Sequence, residues 1–223
     1  MTSPHLLVTG ATQGIGRACA ERFAREGWTV TAIARNEDRL REMASAWEKD
    51  FPRSRLIVHP ADLSTVEGTD SVPRMEYDVI LLNAATFAPG KLLDDVGVYE
   101  QLFRLNVLAN ERLARSLLPR MVERGAGYLV VIGSTGTDHW KDHMTAYVAT
   151  KYALRGLFLG WEKDLAGSGV RTCLIAPGAT LTASWANETP PPGILLPEEV
   201  AETVWRAVRE GWTGRHLLPS KED

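Results

Sequence analysis

The sequence predicts an α/β protein in which helices cover both faces of a doubly wound parallel sheet of about seven strands. Strand-like and helix-like stretches alternate almost from end to end, the pattern of parallel strands joined by crossover helices. The strand-like runs, such as Asp78-Val79-Ile80-Leu81-Leu82 and Tyr128-Leu129-Val130-Val131-Ile132, are apolar nearly throughout rather than alternating. That is the habit of strands covered on both sides. No linker or repeat interrupts the alternation, so residues 1–223 read as one domain, with length enough for a sizeable core.

The first strand is His5 to Thr9, followed at once by glycines at 10, 14 and 16. After Gly14, Ile15, Cys19 and Phe23 recur at helical spacing, and Gly27 ends that helix. Thr29 to Ala34 is the second strand. Asn36 caps a helix in which Leu40, Met43, Trp47 and Phe51 fall on one face. Arg55 to Val58 is a third strand leading to Asp62, and the weakly periodic stretch from Leu63 to Tyr77 has room only for a stunted helix. The fourth strand, Asp78 to Leu82, ends at Asn83-Ala84-Ala85. Val98 to Arg124 reads as one long helix through Leu102, Leu105, Leu108, Leu113, Leu117 and Leu118. The fifth strand precedes Ser134, and the helix carrying Tyr147 is ended by Gly167 and Gly169. Arg171 to Ala176 is the sixth strand, stopped by Pro177-Gly178. A proline-containing loop, Ala183 to Leu196, leads to a last helix from Pro197 and a closing strand at His216 to Leu218.

Composition excludes several classes. A hydrophobic fraction of 44%, a charged fraction of 24% and a net charge of -3 give no electrostatic case for nucleic acid or an anionic membrane. The stretch MTSPHLLVTG has no secretory pattern, and no apolar run is long enough to span a bilayer. Cys19 and Cys173 have no metal spacing and read as buried thiols in a reducing compartment. His139 and His143 have no carboxylate or cysteine at ligand spacing, so no metal is expected. A soluble cytoplasmic protein is the default expectation.

The chemistry concentrates between Ser134 and Lys151. Tyr147 and Lys151 stand four residues apart, on one helix face and one turn apart. A free phenol titrates near pH ~10, and a neighbouring ammonium favours its ionised form. Ser134, at the end of the fifth strand, is placed to hydrogen-bond the same substrate oxygen. Together they make an acid/base site for a carbonyl or an alcohol. Tyr-x-x-x-Lys alone is common among surface tyrosines, so the rest of the chain must decide its meaning.

The first strand, the glycine turn and the helix after it meet the physical requirement for a dinucleotide. Glycines admit a pyrophosphate close to the backbone, and the helix N-terminus directs N–H groups and a positive dipole end at it. The spacing is Gly-x-x-x-Gly-x-Gly, from Gly10 through Gly14 to Gly16. An acid at the end of the second strand would hold a ribose diol, but Arg35 stands there. A guanidinium suits a 2′-phosphate, which predicts NADP over NAD, with NAD still possible.

These motifs, namely TGATQGIG from Thr9 to Gly16, Asp62-Leu63, Asn83-Ala84-Ala85, Asn106, Ser134, Tyr147-x-x-x-Lys151 and Pro177-Gly178, occur in one order. The ordered set closely resembles the compact branch of the short-chain dehydrogenase/reductase family over nearly the whole chain. The resemblance implies a Rossmann-like three-layer sandwich. It implies that Tyr147 is the general acid in reduction and the base in oxidation, with Lys151 lowering its pKa and bonding the nicotinamide ribose. Ser134 would polarise the substrate carbonyl, and Asn106 would help hold a water in a proton relay from Lys151. Gly10, Thr12, Gln13, Gly14, Ile15 and Gly16 would face the pyrophosphate. Asp62 and Leu63 would contact adenine, Asn83 and Ala84 its ribose side, and Pro177, Gly178 and Thr182 the nicotinamide carboxamide.

The chain departs from the family pattern in places. Ala85 replaces a usual glycine, and Gln13 stands where NADP-preferring members often have a basic residue, so the NADP expectation rests on Arg35. Phe87, Trp140, His143 and Met144, with Trp185 as a lid, are expected to line a pocket for a small or medium apolar or aromatic carbonyl compound. Surplus apolar residues on the Tyr147 helix (Tyr152, Leu154, Leu157, Phe158, Leu159 and Trp161) predict a homodimer. The C-terminal pattern carried by many tetrameric members is missing, so a tetramer is not expected. The competing readings are a non-catalytic dinucleotide sensor or scaffold, an NAD-preferring dehydrogenase, and a related epimerase or dehydratase. The last class usually needs a second substrate domain for which 223 residues leave no room.

Overall fold

The structure, a computed structural model, describes residues 3–88, 97–139, 142–186 and 189–220. Seven parallel strands form one sheet: β1 His5–Thr9, β2 Thr29–Ala34, β3 Leu56–Pro60, β4 Val79–Leu82, β5 Gly127–Ile132, β6 Val170–Pro177 and β7 Gly214–Leu218. Their spatial order is β3-β2-β1-β4-β5-β6-β7. The chain therefore winds outward from β1 to one edge, returns to the centre at β4, and continues to the other edge. The reversal lies between β1 and β4, and open sheets of this kind bind ligands beyond the strand C-termini at such a point. Val8 lies beside Leu81, and Leu81 beside Val130, so Gly10, Asn83 and Ser134 emerge at the same edge of the sheet.

The helices are α1 Gly14–Arg25, α2 Glu37–Asp50, α3 Val66–Asp70, α4 Gly97–Phe103, α5 Ala109–Arg124, α6 Thr145–Asp164 and α7 Pro197–Glu210. Alternate residues of one strand serve two cores. Leu6 and Val8 join Phe23, Leu40, Trp47 and Val204 on one face, while Leu7 joins Ile80, Leu113, Phe158 and Leu174 on the other. This double coverage is what the apolar strands predicted. It fails at the edges: β3 and β7 are only partly buried, because each has a neighbour on one side alone.

The stretch predicted as one long helix is divided. A π-helical turn, Arg104–Leu108, joins α4 to α5 and carries Asn106, which is wholly buried. Wider turns of this kind occur where a side chain must be aimed away from the regular ladder. The described parts of the loop after β6 are also tied to one another. The base of the loop is closed by Leu181 donating to the Leu195 carbonyl (2.8 Å) and Leu195 donating to Ala179 (2.9 Å), and Ala183–Trp185 form a turn of 3-10 helix.

Candidate active site

At the end of β1 the chain turns through Gly10, whose φ of +68° is a conformation that favours glycine. Gly16 is fixed by space instead: a Cβ there would lie 2.3 Å from the Gly10 carbonyl oxygen and 2.5 Å from Asn83 Nδ2. Thr9 laces this turn to β4. Its hydroxyl oxygen accepts from the N–H groups of Asn83 and Ala84 (2.9 Å each), and Asn83 Nδ2 donates to the Thr9 carbonyl (2.8 Å). The Asn83 carboxamide is thus committed to holding the turn. Ile15 packs its side chain against the core, Thr12 is part-buried, and Gln13 opens α1 without capping it. The first-turn N–H groups of α1, with the positive end of its dipole, face the crevice side of the sheet as an anion site.

The neighbouring strand ends supply charge. Arg35 follows β2 and is exposed. Asp62, just beyond β3, accepts from the Ser64 hydroxyl (2.7 Å) and N–H (3.0 Å). Those bonds, with the Arg35 guanidinium adding, hold its carboxyl below the usual range. Leu63 buries its side chain beside Val72 and Tyr77, so only its backbone remains for a ligand. Arg39, in the first turn of α2, reaches across to donate to the Gln13 side-chain oxygen. Nothing in the local sequence pattern pointed to Arg39, because the contact spans two elements.

Beyond β5 lies the constellation the sequence singled out. The Ser134 oxygen accepts from the Gly136 N–H (3.0 Å), and Ser134 stands near enough to the Tyr147 phenol to favour its ionised form. Lys151 is 3% exposed. Its Nζ donates to the Ile132 carbonyl (3.0 Å) and lies 5.6 Å from the centre of the Tyr147 ring. The sequence expectation that Lys151 lowers the Tyr147 pKa is corrected here. Burial pushes the phenol up to about 12, against an opposing pull from Ser134, and burial brings Lys151 down to about 8. With the ammonium bonded to a main-chain carbonyl, desolvation outweighs its attraction for a phenolate.

Asn106 reaches this site through its neighbours. Its Oδ1 accepts from the Thr86 N–H (2.9 Å), and its Nδ2 donates to the Thr86 carbonyl (3.0 Å) and to Thr150 Oγ1 (3.1 Å). Thr150 in turn donates to the Tyr147 carbonyl (2.6 Å). One buried amide therefore ties the loop after β4 to the helix carrying Tyr147 and Lys151. Thr150 was missed by motif reading, although it sits beside Lys151 in the chain.

The loop so held presents Phe87, whose ring meets Tyr147 edge-on at 5.2 Å. His143, at the approach to α6, has a φ of +64°, unusual for a residue with a side chain. On the far side, Pro177 ends β6 and Gly178 donates to Leu218 (2.8 Å). The Thr182 hydroxyl shares a hydrogen bond with Ser184 (2.8 Å), and its methyl would lie 3.1 Å from a Cβ on Gly14. Trp185 is anchored by its indole N–H to the Thr180 carbonyl (3.0 Å). Trp140, expected in the pocket, lies outside the described residues.

Residues 4–192 match the short chain dehydrogenase family. An uncharacterized oxidoreductase of Staphylococcus aureus is 30% identical over 218 residues, which are 94% of this chain and 93% of that protein. Among solved structures, a short-chain dehydrogenase from Sphingobium yanoikuyae in complex with NADPH is 28% identical, with a TM-score of 0.87. The likeness covers 96% of this chain and 87% of that one. L-sorbose reductase from Gluconobacter frateurii, complexed with NADPH and L-sorbose, gives a TM-score of 0.89 at 25% identity, covering 98% and 95% of the two chains.

Proposed function

The chain belongs to the short-chain dehydrogenase family and is an oxidoreductase, and from that premise we propose that it interconverts a carbonyl compound and a secondary alcohol with NADP(H). The observation that carries the proposal is the buried Lys151 ammonium, 5.6 Å from the centre of the Tyr147 ring, with Ser134 beside the same phenol at the end of β5. NADPH, when bound, supplies the hydride. Tyr147, pushed up to about 12, keeps its proton at neutral pH and is suited to donate it to the oxygen of a carbonyl being reduced. The Ser134 hydroxyl holds that oxygen and stabilises its growing negative charge. In oxidation the roles reverse, with the Tyr147 oxygen accepting the alcohol proton. Asn106, which holds the Thr150 side of α6, fits a role in resupplying the proton.

The chain's residues fit the cofactor. The close approach at Gly10 and Gly16 leaves bare backbone for a pyrophosphate beside the start of α1. Gly14, Gln13 and Thr12 line that turn, and Thr182, in the loop after β6, stands against Gly14. The exposed Arg35, where an acid would hold a ribose diol, supports NADP over NAD. Asp62 and the Leu63 backbone flank the adenine side, with Asn83 and Ala84 between them and Ser134. Phe87 against Tyr147 supports a small or medium substrate with an apolar substituent. The buried, unpaired thiols of Cys19 and Cys173 support a cytoplasmic setting. No helix among the described residues is long and apolar enough to cross a membrane.

The test is NADPH consumption over a panel of ketones and aldehydes, run beside Tyr147→Phe. Removing the proton donor should lower kcat by about a thousandfold while NADPH affinity stays within about threefold. A Tyr147→Phe enzyme that keeps wild-type turnover would sink the assignment.

A further inference from the structure

We infer that Arg39, steered by Gln13, is a second cationic contact for the 2′-phosphate of NADP, supplied by α2 rather than by the glycine turn. The inference rests on the NADP reading above. The arginines near the starts of α1 and α2 fall into two groups. Arg17 pairs with Glu21 (2.8 Å), and Arg41 takes both Glu37 (2.6 Å) and Asp38 (2.7 Å). Among the described residues, Arg35 and Arg39 make no ion pair with a carboxylate. Arg41 thus engages both acids that open α2, and Arg39 is left without a carboxylate at ion-pair distance among the described residues.

Position makes that charge useful. The glycine turn abuts the end of β2, where the Gly10 and Ala11 N–H groups donate to the Ile33 carbonyl (2.9 and 3.2 Å). A ribose running from a pyrophosphate on α1 toward adenine must pass this junction. Arg35 leaves β2 at that place, and Arg39 spans it to reach Gln13. Asn36 fixes the root of Arg39, its side-chain oxygen accepting from the Arg39 N–H (2.9 Å). Gln13 is neutral, so it orients the guanidinium without cancelling its charge, as a carboxylate would. The remaining N–H groups of the fork stay available to a phosphate. A neutral residue in the glycine turn is thereby compensated in space by a cation from the next helix.

The experiment measures Kd for NADPH, NADH, 2′,5′-ADP and 5′-AMP by calorimetry. Wild type is compared with Arg39→Met, Gln13→Ala and Arg35→Met, each checked for unchanged melting. Losing a charge-assisted contact should weaken NADPH and 2′,5′-ADP about tenfold to a hundredfold in Arg39→Met. NADH and 5′-AMP should stay within about twofold, since they lack the phosphate. Gln13→Ala should show a smaller loss of the same selective kind. Equal weakening of all four ligands, or of none, in Arg39→Met overturns the inference. If the preference for NADPH persists there but is lost in Arg35→Met, the NADP reading stands and only the role of Arg39 falls. A wild type with no preference between NADPH and NADH overturns both.

Discussion

Lys151 is a costly residue for this fold, an ammonium ion with 3% of its surface left to water. Burial brings it from its ordinary 10.5 to about 8. The unfolded chain therefore binds this proton more tightly than the folded one. The stability penalty is fully present below about pH 8 and is relieved as pH rises toward the ordinary lysine value, on the order of 3 kcal/mol in all. Buried Cys19 and Cys173, whose thiols are pushed up, act in the opposite sense at alkaline pH. The difference between wild type and Lys151→Met isolates the lysine. In urea titrations the wild type should gain on the variant across that window, and two parallel pH curves would show that the ammonium is solvated. A residue kept at such a cost has a use other than stability, which agrees with its place under Tyr147.

Among the elements, the glycine turn and the π-helical turn do the positioning. In the first, α1 approaches β1 so closely that Gly16 has no room for a methyl group. Gly16→Ala should force the Gly10 carbonyl and Asn83 apart and lower stability by on the order of 1–3 kcal/mol. The urea midpoint should fall and NADPH affinity with it; an unshifted midpoint would mean that the turn opens freely. In the second, the wider turn at Arg104–Leu108 seats Asn106, whose three bonds to Thr86 and Thr150 hold Phe87 and Tyr147 in contact. Periodicity hid this break, because leucines recur on both sides of it, and the one five-residue step, from Leu108 to Leu113, is absorbed in a long apolar pattern.

For the molecule as a whole, the sheet buries the middle strands, while part of the apolar surface of α6 is exposed among the described residues. Tyr152 and Leu159 are each 48% exposed. Beside them, Gly156 and Gly160 have nothing within 4 Å of where a Cβ would stand. Glycine inside a helix costs up to about 1 kcal/mol relative to alanine, and no packing among the described residues explains these two. They support the homodimer expected from the sequence, with a partner helix approaching closely. Sedimentation velocity at micromolar concentration should show a dimer for the wild type and a monomer for Gly160→Arg, with NADPH binding retained. A monomeric wild type would end that proposal.

The sequence alone determined the alternation of strands and helices, the doubly covered sheet and the order of its motifs. These are properties of nearest neighbours and of apolar periodicity, and each can be read without knowing what lies across the molecule. Ser134, Tyr147, Lys151 and the glycines could be proposed for the same reason: their residue types and spacings suit the chemistry. Only the tertiary structure decided how those groups are electrically poised. Burial is a property of the assembled core, so the rise of the Tyr147 phenol could not be read from Lys151 four residues away. Contacts between distant stretches were equally hidden, including Asn106 with Thr86 and Thr150, and Arg39 with Gln13. In each case a side chain serves an element other than its own, and only folding brings the two together.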